Sequence, residues 1–367
     1  MCVSNGMLPA QTRLQEDNKT IFISAACKKK REKADEGKNS FFEEFVRFIE
    51  GIKREKNPEL WKQIEENNWH TLPSNDYKGL FPKEINAIGA YSNEYIGLIY
   101  ADGNRMGQRL QERKCRDEYT EFSDRILEGT KSAIFEALAT NLKLEHQFPF
   151  EILLLGGDDL LLIVPADKAI DVAIDFCDTF RSNLTVHDVS ISAGVVITHA
   201  NYPIHQMINY GEQLLKSAKR KGNETPEKEE NYIDFMVIKN PIHHEVFNMR
   251  ENEMTYWSEE RERLQLFQRP YTTENLKDII NKIKRLKYEN EGTFPRSRLK
   301  QMYQSLFRGK NQAMLDYCLL LSRLDKDTRW IMKDAFFTCC DLFPWQRTDD
   351  GLETPFLDII ELYDFIT

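Results

Sequence analysis

Apolar residues fall into two rhythms along this chain. Phe41, Phe42, Phe45, Val46, Phe48 and Ile49 recur at helical spacing, which predicts an amphipathic helix, and a second helix is expected around Leu60 to Ile64. Between residues 67 and 89, Pro73, Pro82 and several Asn and Gly residues break the periodicity, so this stretch reads as a linker. From Tyr91 onward, strand and helix signals alternate. Residues 95–101 form a continuous apolar run with β-branched and aromatic members, and residues 106–142 carry long helical segments. Residues 151–155 and 160–164 are short apolar strands joined only by Gly156, Gly157, Asp158 and Asp159, a hairpin. Helical periodicity returns over 166–184, a strong β signal over 189–198, a helix over 204–221 and a last strand over 232–238.

The order β-α-β-β-α-β, extended by α-β, predicts an α+β, ferredoxin-like fold with an antiparallel sheet and helices on one face. After Pro241 no strand is expected, and helices over 259–267, 273–287, 296–306 and 312–324 predict an all-α domain. Three parts result: 1–90, 91–240 and 241–367.

With 367 residues the chain can bury a separate core in each part. Its 59 acidic against 50 basic residues, net charge -9, argue against a surface that coats nucleic acid throughout. The average hides segregation. Residues 281–310 hold nine basic residues (Lys282, Lys284, Arg285, Lys287, Arg296, Arg298, Lys300, Arg308, Lys310) against Glu289 and Glu291, whereas residues 325–367 hold ten acidic against four basic. Such a stretch can grip RNA, with Tyr288, Phe294 and Tyr303 stacking bases; the competing and weightier reading is that its charges pair with the acidic tail or solvate a helix. Seven cysteines are too few for a disulfide scaffold. No basic-then-apolar leader opens the sequence, and no apolar run approaches the ~18 residues of a membrane helix. A soluble, cytoplasmic, membrane-free setting is the expectation.

The hairpin carries the chemistry. Gly156 and Gly157 supply unusual dihedrals and leave open backbone beside a phosphate, and Asp158 and Asp159 follow directly. In a ferredoxin-like sheet the first strand lies beside the strand leaving this hairpin, so Asp102 at its end reaches the same spot. Three converging carboxylates repel unless cations sit between them, and Mg²⁺ or Mn²⁺ takes such oxygen ligands. Two such ions per site suit nucleotidyl transfer. Gly103 and Asn104 lie where strand turns to helix and can cradle a triphosphate. Lys216 and Lys219, on a later helix, are candidates for neutralising its phosphates.

These blocks resemble the second palm domain of the large polymerase/cyclase subunit of type III CRISPR effector complexes. The matching residues are Ile99-Tyr100-Ala101-Asp102-Gly103-Asn104-Arg105-Met106-Gly107, Leu154-Leu155-Gly156-Gly157-Asp158-Asp159, Ile191-Ser192-Ala193-Gly194-Val195 and Ala218-Lys219. The resemblance implies a palm over 91–240 that joins ATP into cyclic oligoadenylates in antiviral defence, with Asp102, Asp158 and Asp159 holding metal. Ser192 would line the base pocket, and the helical domain would pack against effector subunits. It implies a degenerate zinc-finger-like segment in 1–90. The corresponding places read Cys2-Val3-Ser4-Asn5 and Ser24-Ala25-Ala26-Cys27, and two thiolates do not complete a closed tetrahedral site, so no zinc is expected.

One palm supplies one nucleotide site, and joining two nucleotides needs a donor and an acceptor face to face. A homodimer or a second palm-bearing chain is therefore expected, with other effector subunits and guide RNA as further partners. Two other functions compete: a non-catalytic RNA-binding scaffold subunit, and a diguanylate-cyclase-like enzyme using GTP, which Asp159 followed by Leu160 disfavours. His187-Asp188 lacks a ligand cluster and is not read as nucleolytic. Residues 269–272 read as a helix start with Thr272 or Thr273 as N-cap. Cys339-Cys340 read as buried small apolar residues.

Overall fold

The computed structural model describes residues 9–16, 19–73, 78–185, 189–224, 229–240, 244–258, 261–288, 294, 296–336 and 344–367. Cys2, His187, Asp188, Glu289, Glu291, Cys339 and Cys340 lie outside the described residues. The chain divides between Phe81 and Pro82 into two compact units.

The first unit opens with an antiparallel hairpin of β1 (Thr12–Glu16) and β2 (Lys19–Ile23). Helix α1 (Ala25–Gly51) follows, its first turn capped by Ser24 Oγ accepting from the Cys27 amide at 3.2 Å. It is longer than the apolar spacing predicts. Ser24 sets the start, so the basic run of residues 28–33 is part of the helix. Helix α2 (Pro58–Glu66) is capped by Asn57. The presumed linker is anchored by Trp69, which is fully buried and meets the Phe45 ring edge-on at 5.1 Å.

The second unit begins with the short helix α3 (Ile85–Gly89) and is built on β3 (Tyr95–Gly103), β4 (Glu151–Gly156), β5 (Asp159–Pro165), β6 (Ile191–His199) and β7 (Tyr232–Ile238). Helices α4 (Met106–Gln111) and α5 (Arg116–Asn141) link β3 to β4, α6 (Ala169–Asn183) links β5 to β6, and α7 (Ile204–Glu224) links β6 to β7. The strand order β7-β6-β3-β5-β4 contains the expected ferredoxin-like core, with β3 antiparallel to both β5 and β6 and β7 added parallel to β6.

Helices cover both faces of this sheet, not one. Leu98, Leu161 and Val196 share a core with Met207, Tyr210 and Leu214 of α7. On the opposite face, a Cβ at Gly97 would collide with that of Ala169, where α6 begins. The reason is visible in β3 and β6, whose residues are buried on consecutive positions rather than alternately, the pattern of a strand covered on both sides.

The remainder is not all-α. Helix α8 (Val246–Glu253) leads into β8 (Thr255–Trp257) and β9 (Arg263–Gln265), the latter lying in the 259–267 stretch expected to be helical. Strand β10 (Tyr271–Thr272) pairs with β7 and extends the main sheet to six strands. Helices α9 (Thr273–Tyr288), α10 (Arg296–Leu306), α11 (Lys310–Ser322) and α12 (Lys326–Phe336) follow. Strands β11 (Gln346–Thr348) and β12 (Gly351–Glu353) join β9 and β8 in a four-stranded sheet before α13 (Phe356–Leu362). Strands of three residues are too short to show a period of two, and their pairing with segments some 90 residues away supplies what local sequence lacks. Thr272 Oγ1, not Thr273, accepts from the Asn275 amide at 3.2 Å and caps α9.

Candidate active site

The hairpin turn is built on two residues between the paired Gly156 and Asp159. Gly157 has φ 63°, which glycine adopts without the penalty an L side chain meets. Asp159 opens β5, and its neighbour Leu160 pairs with Ala101 on β3. Asp102 follows Ala101, so register alone sets it beside Asp159. On its other side Asp102 is opposite Ser192 of β6.

The three carboxylates interact. Burial, and after it the Asp102 charge and a hydrogen bond with Asp102, raise the pKa of Asp159 to about 6 and also raise that of Asp158. Lys219 opposes both shifts. Its ammonium bonds Asp102 Oδ2 directly and donates to the Gly103 carbonyl at 2.9 Å. Gly103 is required here by space. A Cβ on it would stand 2.7 Å from Asp158 Oδ2 and 2.7 Å from Met106 Cγ.

Beside the carboxylates lies an open cleft of about 400 Å³, lined by Asn104, Arg105, Gln108, Lys219 and Asn223. Asn104 is nearly buried and its amide is engaged: Nδ2 donates to Ser190 Oγ and Oδ1 accepts from Ser192 Oγ, each at 2.9 Å. Asn104 and Ser192 therefore brace the turn from beneath, and Ser192 itself is fully buried. Lys216 sits on the exposed side of α7 and pairs with Glu212 at 2.6 Å rather than with the carboxylates.

Sequence reasoning missed a second ring of charge. Arg105 and Arg109 both contact Glu229 Oε1, at 3.3 and 2.9 Å, while Ser190 Oγ donates to Glu229 Oε2 at 3.0 Å. Arg105 also donates to the Gly222 carbonyl at 3.4 Å, tying the turn after β3 to the end of α7. The arginines were legible as an i, i+4 pair just after Asp102-Gly103-Asn104; nothing local marks Glu229, about 120 residues downstream.

Among the described residues no three His, Cys, Asp or Glu side chains form a ready metal cluster. Asp102 is turned to Lys219, and the carboxylates bond one another. The donor chemistry still fits a hard divalent ion: three carboxyl groups crowd one strand end, two of them hold protons more tightly than usual, and an ammonium already sits among them.

A six-stranded sheet with an acidic hairpin at its edge is the architecture of a palm domain. Residues 95–226 match the family model of the Cas10/Cmr2 second palm domain, so this part of the chain is similar to the palm of the type III CRISPR large subunit. It is 33% identical over 66 residues to the CRISPR system Cmr subunit Cmr2 of Pyrococcus furiosus, covering 17% of this chain and 8% of Cmr2. Crystalline Csm1 from T. onnurineus has the same fold, with a TM-score of 0.54 at 13% identity over 79% of this chain and 41% of Csm1. A Csm1–Csm4 cassette in complex with pppApA gives 0.47 at 13% identity, over 71% and 38%. The chain thus spans well under half the length of the relatives it matches. Among the described residues no helix is long and apolar enough to cross a membrane.

Proposed function

We propose that this palm is a metal-dependent nucleotidyltransferase that joins ATP into cyclic oligoadenylate-type products within CRISPR-linked defence. The observation that carries the reading is the convergence of Asp102, Asp158, Asp159 and Lys219 beside an open cleft. Asp102, Asp158 and Asp159 would hold Mg²⁺ or Mn²⁺, two ions per site. When bound, such ions activate a ribose hydroxyl and stabilise the departing pyrophosphate.

The chain's own residues do the rest. Lys219, which stands on Asp102 and the Gly103 carbonyl, would present its charge to the phosphates. The Gly103 backbone lets the phosphates approach closely, and Asn104 holds that turn through Ser190 and Ser192. Arg105 and Arg109, positioned by Glu229, add positive potential at the mouth. Lys216 lies off this path, on the exposed side of α7 beside Glu212. Because one palm holds one nucleotide, the reaction takes a second palm, from another copy or a partner chain.

The experiment is incubation of the protein, alone and with palm-bearing partner subunits, with each nucleoside triphosphate and Mg²⁺ or Mn²⁺. Pyrophosphate and phosphodiester products identified by mass are expected, with ATP preferred over GTP, and both disappear in Asp158→Ala with Asp159→Ala. No product from any triphosphate under these conditions overturns the reading. The scaffold alternative rests on the basic stretch at 281–310, of which Lys282, Arg296 and Lys310 are paired with Asp278, Asp364 and Glu262.

A further inference from the structure

Helix α7 presents two functional faces. Lys219 reaches the carboxylates, whereas Arg220, one residue on, turns toward α8, where its guanidinium lies 5.7 Å from the centroid of the Phe247 ring. Phe247 is 56% exposed, so the ring contributes little to the core and presents its surface to water. Gln213 Oε1 accepts from the Val246 amide at 2.8 Å and pins the start of α8 to α7, which sets the ring's position. Arg220 makes no ion pair among the described residues. The two side chains stand in an open cleft of about 490 Å³ whose lining includes Ser217, Gln213, Asn209, Glu245 and Lys216, the last paired with Glu212.

We propose that this cleft is a stacking shelf for a base of a single-stranded oligonucleotide, separate from the mononucleotide site. Phe247 and Arg220 take the base, and Lys216 takes the adjoining phosphate. An aromatic face, a guanidinium and a lysine in one groove are the combination that binds single strands without reading their sequence. Arginine suits the task because its planar, weakly hydrated head stacks where an ammonium would not. Asn209, Gln213 and Ser217 offer hydrogen bonds to base edges or sugar hydroxyls. Arg220 follows Lys219 directly on α7, which places the shelf on the neighbouring face of the helix that reaches the carboxylates. In this respect the proposal rests on the nucleotidyl-transfer reading.

The test is fluorescence anisotropy of the full chain with a 3′-labelled triadenylate that carries no 5′-phosphate. Wild type is expected to bind; Phe247→Ala weakens binding about tenfold, Arg220→Ala weakens it several-fold, and Phe247→Trp restores it. Binding of a fluorescent ATP analogue, read in parallel, reports the integrity of the mononucleotide site. Equal binding by wild type and Phe247→Ala overturns the shelf. So does an absence of triadenylate binding by a protein that binds the ATP analogue, the result expected of a surface made for a protein partner. Pyrophosphate release, measured separately, keeps a failure of the transfer reading distinct from a failure of the shelf.

Discussion

Gly103 and Asp159 show how single side chains set the chemistry of this palm. A methyl group at Gly103 presses on Asp158 Oδ2 and on Met106 Cγ, the latter too near the backbone to swing away. Gly103→Ala is expected to cut pyrophosphate release by about a hundredfold, the scale of a misplacement near 1 Å, with the fold retained by circular dichroism. Asp159 holds its proton to about pH 6 because burial and the Asp102 and Asp158 charges disfavour the anion, against Lys219. A raised carboxyl pKa contributes stability below about pH 4 that is lost as pH climbs through 6. Asp159→Asn, which cannot ionise, is therefore expected to be more stable than wild type at pH 7.5. The gain is about 1 kcal/mol once solvent screening of this partly exposed group is allowed for, and it disappears at pH 4; denaturant titrations at the two pH values read it. Mn²⁺ added at pH 7.5 should raise the melting temperature, and do so less at pH 5, where protons compete for the same oxygens. A melting temperature indifferent to Mn²⁺ at both pH values would count against metal at these carboxylates.

At the scale of elements, the site depends on how α7 sits on the sheet. Gly194 of β6 faces Gly211 of α7 with no room for a side chain: a Cβ there would collide with the Gly211 carbonyl and stand 2.7 Å from the Leu215 amide. This contact brings Lys219, two turns further along, over the end of β3. Gly194→Ala is expected to cost about 1–3 kcal/mol by overpacking and to weaken ATP binding more than a surface change of equal cost, read by denaturant midpoint together with nucleotide titration. The strands and the hairpin were legible because continuous apolar runs bounded by Gly-Gly-Asp-Asp leave few other readings. The placement of Lys219 was legible only as an order along the chain. Ser192 illustrates the limit: its strand was foreseen, yet which partner its hydroxyl takes depends on Asn104, 88 residues away.

Across the second unit, buried charges tie the main sheet to the C-terminal segment. Arg250 grips Asp234 of β7 through two bonds of 2.7 Å. Arg269, fully buried, contacts Asp358 at 3.2 Å and Glu361 at 2.5 Å, and Tyr271 donates to Asp358 at 2.7 Å. Burial is strong enough to raise the pKa of Asp358 to about 6 despite the arginine. Asp358→Ala leaves Arg269 buried with only part of its compensation and is expected to cost about 3–5 kcal/mol, measured by denaturant unfolding. The paired palms of the proposed reaction predict that turnover per molecule rises with protein concentration, or on adding a palm-bearing partner; constant turnover per molecule in a protein shown to be monomeric by light scattering overturns the pairing.

The sequence by itself determined the strand and helix order of the palm, the acidic hairpin and the neighbourhood of Asp102, because apolar periodicity and glycine-rich turns are local signals. It also exposed the charge segregation hidden in the net value. Only the tertiary structure decided that helices cover both faces, that the C-terminal region contains a second sheet, that Arg296 and Lys310 of the basic stretch pair with Asp364 and Glu262, and that Glu229 holds Arg105 and Arg109. Each of these depends on contacts between residues far apart in the chain, and it is burial and charge pairing across those contacts, rather than local propensity, that fixes them.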